Sequence, residues 1–177
     1  MTKVSAGDVI ALLPGTYAEQ ADFSQHALTL RGEGAFGEVV IAPATGVAGI
    51  NVDSFEDVRI TNVVVQGGAQ GIAALKADGI RITGVAVVGP STNGIRVRQT
   101  NDAWIDNSIV TGAGTYGILL PRTKNAYVRN NLIYANAEWA VSLDAAGFAN
   151  AAGNVVAFNT IHQNGNGVRF LNASGEV

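Results

Sequence analysis

The sequence predicts an all-β parallel β-helix, a solenoid of about seven coils, and three observations carry that expectation. A Gly-Ile step returns about every 23 residues, each return opens a short apolar-alternating strand, and Asn or Gly stands at fixed offsets between strands. Gly49-Ile50, Gly71-Ile72, Gly94-Ile95, Gly117-Ile118, Ala140-Val141 and Gly167-Val168 lie 22, 23, 23, 23 and 27 residues apart. Self-similarity at a fixed period is the mark of a solenoid, because each repeat buries its apolar face only by stacking on the next.

Each repeat resolves into three short strands. The first is the Gly-Ile strand, as in Gly94-Ile95-Arg96-Val97. The second follows a polar turn, as in Val58-Arg59-Ile60, Ile80-Arg81-Ile82, Trp104-Ile105 and Tyr127-Val128, where period-two alternation puts Ile60, Ile82, Ile105 and Val128 on one face. A column of Asn62, Gly84, Asn107 and Asn130 or Asn131 then marks a tight corner, since Asn and Gly tolerate a left-handed backbone. These Asn side chains are expected to hydrogen-bond to one another along the axis. The third strand runs through Val63-Val64-Val65, Val85-Ala86-Val87 and Leu132-Ile133, and a looser Gly-rich corner such as Gly112-Ala113-Gly114-Thr115-Tyr116 closes the coil. Leucine-rich repeats would show a Leu and Asn scaffold, and helical repeats do not tolerate this Gly, Asn and Val content. Strands of a β-sandwich keep no fixed period.

Composition narrows the function. The 177 residues suffice for a single domain over 1–177 with a continuous core, at 47% hydrophobic and 14% charged residues. A net charge of -3 gives no reason to expect nucleic acid as a partner. No apolar run reaches the ~20 residues of a membrane span, so no membrane partner is expected. Absence of cysteine removes disulfides, thiolate nucleophiles and zinc-cysteine sites.

The opening Ala6-Gly7-Asp8-Val9-Ile10-Ala11-Leu12-Leu13-Pro14-Gly15-Thr16-Tyr17 resembles the first coil of the right-handed parallel β-helix proteins of the pectin lyase-like superfamily, with Pro-Gly-Thr-Tyr as a corner. Leu28-Thr29-Leu30-Arg31-Gly32 and Val39-Val40-Ile41 look like the strands that follow. Asn130-Asn131-Leu132-Ile133 and Phe158-Asn159-Thr160-Ile161 resemble the repeats of periplasmic carbohydrate-binding and sugar hydrolysis modules and of copper-site maturation proteins of similar build. The resemblance implies a right-handed, single-stranded helix and a secreted or periplasmic location, although no signal region is visible at Met1-Thr2-Lys3-Val4-Ser5. Neither end shows the cap such helices usually carry, which suggests a piece of a longer polypeptide, flanking domains or end-to-end self-association.

In the resembled proteins the sheet opened by the Gly-Ile strands commonly forms a groove for extended polysaccharide. Alternation points Asn51 and Asp53, Ala73 and Leu75, Arg96 and Arg98, Leu119 and Pro121, Ser142 and Asp144, then Arg169 and Leu171 outward in successive coils. Arg96 and Arg98 suit uronate carboxylates, because guanidinium offers a planar fork. Tyr116 and Trp139, with Glu138 beside, are placed to stack on sugar, and Arg122 and Lys124 lie just past the strand. The substrate-binding set is therefore Arg96, Arg98, Tyr116, Arg122, Trp139 and Asp144. The plain alternative makes them solvated strand and turn residues. A polysaccharide lyase would use Arg96, Arg98 or Lys124 for catalysis, with cations steadying the enolate of β-elimination. The third reading is a structural shaft, as in adhesins and tailspikes.

Glu56, Asp57, Asp78, Asn101, Asp102 and Asn125 form two columns that offer oxygen ligands for Ca2+, or else cap turns, and capping is the expected role, with no metal centre. His26 and His162 stand too far apart along the solenoid to pair, and Asn172-Ala173-Ser174 is a glycosylation sequon. The Asn-Thr-Asp, Asp-Asp, Gly-His-Gly and Arg-Ile-Lys set of polygalacturonases and the Asp-Pro-His element of alginate epimerases are missing from the sequence.

Overall fold

The structure, a computed structural model, describes residues 5–23, 27–144 and 152–171. His26, Met1 to Val4, the insertion after Asp144 and the Asn172 sequon lie outside the described residues. Three parallel sheets of seven strands each wind as a β-solenoid, every coil contributing one strand in turn to sheets A, B and C. Sheet C holds the Gly-Ile strands: Ala21–Phe23, Ile50–Asp53, Ile72–Leu75, Ile95–Arg98, Ile118–Pro121, Trp139–Asp144 and Asn166–Leu171. Gly15–Tyr17, expected as a corner, is instead the first strand of sheet B, paired with Val39–Ile41. Among the described residues no helix is long and apolar enough to cross a membrane.

Alternation fixes the core. Ile60, Ile82, Ile105 and Val128 stack in register on sheet A, all fully buried. Burying each such side chain contributes about 1.5–3 kcal/mol. On sheet C, Ile50, Ile72, Ile95, Ile118 and Val141 do the same.

The glycine that precedes each sheet C strand has a packing cause. A Cβ on Gly94 would stand 2.5 Å from the Gly117 carbonyl oxygen, and one on Gly71 would stand 2.6 Å from that of Gly94. The column is therefore held by close backbone approach between coils. Gly94→Ala is expected to lower the unfolding free energy by roughly 2 kcal/mol in a urea titration, since backbone has nowhere to shift.

The corners are left-handed. Asn62, Gly84, Asn107 and Asn130 have φ of 52°, 62°, 50° and 55°. Of the two residues offered for the last coil, Asn130 takes the corner and the expected ladder runs through Asn131. Asn131 turns inward: its Oδ1 accepts from Ser108 N at 3.0 Å, and its Nδ2 donates to Asn159 Oδ1 at 3.0 Å. A second ladder lies inside the corner between sheets B and C, where Asn136 Nδ2 donates to Asn164 Oδ1 at 2.8 Å. The left-handed residue carries its side chain to the outside of the bend, whereas its successor enters the core and must satisfy backbone groups there.

Candidate functional site

The predicted outward pairs of sheet C stand in register. Arg96 aligns with Ala73 and Leu119, Arg98 with Leu75, Ser142 with Leu119 and Arg169, and Asp144 with Pro121. Strand Ile95–Arg98 places both arginines on one outer face because Ile95 and Val97 point inward and are fully buried. Arg122 follows Pro121 at φ 56°, a left-handed corner shared with Lys76 and Gln99, and is exposed.

Arg96, Arg98, Pro121, Arg122 and Asp144 line one shallow recess of about 320 Å³. A second recess, about 190 Å³, is lined by Asn51, Gln70, Ala73, Ala74, Leu75 and the same two arginines, so Arg96 and Arg98 lie between the two. Burial, and then the neighbouring Arg98 charge, lower the Arg96 guanidinium from its ordinary pKa. Both effects disfavour its charged form, and a bound anion relieves the second. Arg98 Nε donates to Gln99 Oε1 at 3.3 Å. Gln70 lines the second recess, and its Oε1 is buried without a hydrogen-bond partner.

Tyr116 and Trp139 both meet a cation of this chain. Trp139 is the first residue of its strand rather than a corner residue. Arg169 reaches both rings, with its guanidinium 5.6 Å from the Tyr116 centroid and 5.1 Å from that of Trp139. The same side chain donates to Ser142 Oγ at 3.0 and 3.1 Å, which buries the serine beneath it. The rings are thus engaged by a cation inside the protein. Lys124 sits in the corner after sheet C, half-buried, paired through its backbone with Asn101, and does not line the recess.

The acidic and amide columns are knitted together. Asn101 N and Nδ2 donate to the Asp78 carboxylate at 2.7 and 2.6 Å, and Asn125 Nδ2 donates to Asp102 Oδ1 at 3.0 Å. These amide donors occupy the carboxylates as turn caps do. Among the described residues no group of three His, Cys, Asp or Glu stands close enough to hold a metal ion.

Sequence reasoning missed Gln70, the role of Arg169 and a cluster on sheet A. There Trp104 stacks on Tyr127 with centroids 4.2 Å apart, and Arg81 and Arg129 approach the Trp104 ring at 5.0 and 4.9 Å. The repeat itself was the available signal, because Arg81, Trp104 and Tyr127 are each 23 residues apart and so fall on consecutive rungs.

Three parallel sheets, an outward arginine groove and inward asparagine ladders define a right-handed parallel β-helix protein of the pectin lyase-like kind. Residues 20–177 match the family described as periplasmic copper-binding protein (NosD), and the chain belongs to that family. Among curated proteins none matches the chain. One solved structure similar to it is the A-module of the mannuronan C-5 epimerase AlgE6 of Azotobacter vinelandii, 13% identical, covering 97% of this chain and 87% of that one at a TM-score of 0.31.

The family description names copper, and the described residues do not assemble a donor set that fits it. Cysteine is absent, the one methionine is Met1, outside the matched residues, and the histidines are two. His162 lies on sheet B, stacked on Tyr134 at 5.1 Å, and among the described residues it belongs to no group of three His, Cys, Asp or Glu.

Proposed function

We propose that this chain is a periplasmic β-helix module that binds an extended acidic polysaccharide along the outer face of sheet C. The observation that carries the reading is the convergence of Arg96, Arg98 and Arg122 with Asp144 on one open groove running across several coils. Guanidinium forks take uronate carboxylates, while the Asp144 carboxylate accepts from sugar hydroxyls. An open, shallow groove suits a polymer lying on the surface rather than an enclosed small molecule.

Recognition is the primary reading, and cleavage is the alternative that the test must separate from it. β-Elimination needs a base at the C5 proton beside the cations that neutralise the uronate, and with Lys124 off the recess lining that base would have to be Arg96 or Arg98. The family's periplasmic description supports the location. The test is a panel of polyuronates, with and without calcium, followed both for retained binding and for the ultraviolet absorbance of an unsaturated uronide. Binding without product is expected. Product formation makes the protein a lyase, and absence of both signals leaves the structural shaft.

A further inference from the structure

We propose that the outer face of sheet A is a second strip for acidic polysaccharide, so that one molecule bridges two glycan chains. This inference rests on the sheet C reading for its ligand class, but on separate residues for its site.

Register builds the strip. One outward column runs Arg59, Arg81, Trp104, Tyr127 on consecutive rungs, and its neighbour runs Arg31, Thr61, Thr83, Asp106, Arg129. Rungs of a parallel sheet stand ~4.8 Å apart, so the strands that carry Arg59 to Arg129 span about 14 Å along the axis. Trp104 holds two of them, with Arg81 and Arg129 each within about 5 Å of its ring centroid. The rings face one another at an interplanar angle of 20°, so what the strip offers a ligand is guanidinium rather than an aromatic face. Cations steadied in this way lose less rotamer freedom when a carboxylate binds.

Charge identifies the partner. The one carboxylate on these columns, Asp106, accepts from the Thr83 hydroxyl at 2.5 Å. Among the described residues the only ion pair is Arg31 with Glu33, at 2.7 Å, which leaves Arg59, Arg81 and Arg129 without a carboxylate. In a chain of net charge -3, Arg59, Arg81 and Arg129 outnumber Asp106, the register neighbour of Arg129, so these columns still hold a local excess of positive charge. A linear polyanion running along the axis meets them in succession. Sheets A and C face different directions around the solenoid, so a stiff chain on one face cannot also lie on the other, and occupying both cross-links the polymer.

The experiment titrates short oligogalacturonate into the protein by calorimetry and follows turbidity with long polygalacturonate, dextran serving as the neutral control. The native chain is expected to bind two oligomers and to cloud the long polymer. The double variant Arg81→Ala, Arg129→Ala is expected to bind one oligomer and to lose the turbidity, while Arg96→Ala, Arg98→Ala keeps the sheet A site. Trp104→Leu, a change at a positioning residue, is expected to weaken that site about tenfold. Circular dichroism and thermal melting establish that each variant is folded. One oligomer per native molecule, with turbidity unchanged in the Arg81 and Arg129 variant, overturns the strip and leaves the sheet C reading standing. No oligomer bound anywhere overturns both.

Discussion

Asn131→Ala is expected to destabilise the protein by about 3–5 kcal/mol, more than any surface substitution. The Asn131 side chain is buried inside the corner between sheets A and B. Its Nδ2 donates to the Ile105 carbonyl of the coil below at 2.9 Å and to Asn159 Oδ1 above at 3.0 Å, and its Oδ1 accepts from Ser108 N at 3.0 Å. Alanine leaves an amide donor and a carbonyl acceptor without partners in a dry interior, each at a cost of roughly 1–3 kcal/mol, and adds a cavity. Asn130→Ala provides the contrast. That residue is exposed, its left-handed φ is the only demand on it, and about 1 kcal/mol is expected. Urea unfolding of the two variants separates a buried ladder from a turn preference.

Arg96→Ala with Arg98→Ala is expected to weaken polygalacturonate binding to the sheet C groove at least about 100-fold, which is ~2.7 kcal/mol. Both guanidiniums border both recesses, so the pair removes charge from the middle of the groove rather than from one end. The native affinity should fall with salt, as expected for partly exposed charges. Lysine at position 96 is expected to recover only part of the loss, because a point charge lacks the bidentate fork. Stability should not fall, since removing Arg96 also removes its repulsion with Arg98. Calorimetric titration of the double variant, with the sheet A arginines also replaced, isolates this groove.

The fold was legible because both of its determinants are local in sequence. Period-two alternation chose the inward residues, and the close approach of coils at Gly71, Gly94 and Gly117 wrote itself as a repeated glycine. Where two asparagines stand side by side, as at Asn130-Asn131, sequence alone did not separate the corner from the ladder. Left-handed φ at the first and burial at the second separate them.

The candidate site was legible only as a set of outward positions. Register brought Arg96, Arg98 and Asp144 to one face as the alternation predicted, and Arg122 joins them from the corner beyond the strand. The fate of Tyr116 and Trp139 was not legible, because it depends on the reach of Arg169, whose contact with Tyr116 crosses 53 residues of chain. Long side chains bend over neighbouring rungs, and strand alternation says where a side chain starts but not where it ends. The pairing of Trp104 with Tyr127 was accessible through the 23-residue spacing.

The most direct test of the central claim is to follow the arginine Nε–H signals by nuclear magnetic resonance during titration with oligogalacturonate. If the sheet C groove binds acidic glycan, the Arg96, Arg98 and Arg122 signals shift together and saturate at one common ligand concentration, and Arg31, paired with Glu33, stays still. Shifts that leave Arg96 and Arg98 unmoved, or that follow ionic strength alone, contradict the assignment of sheet C as the binding face.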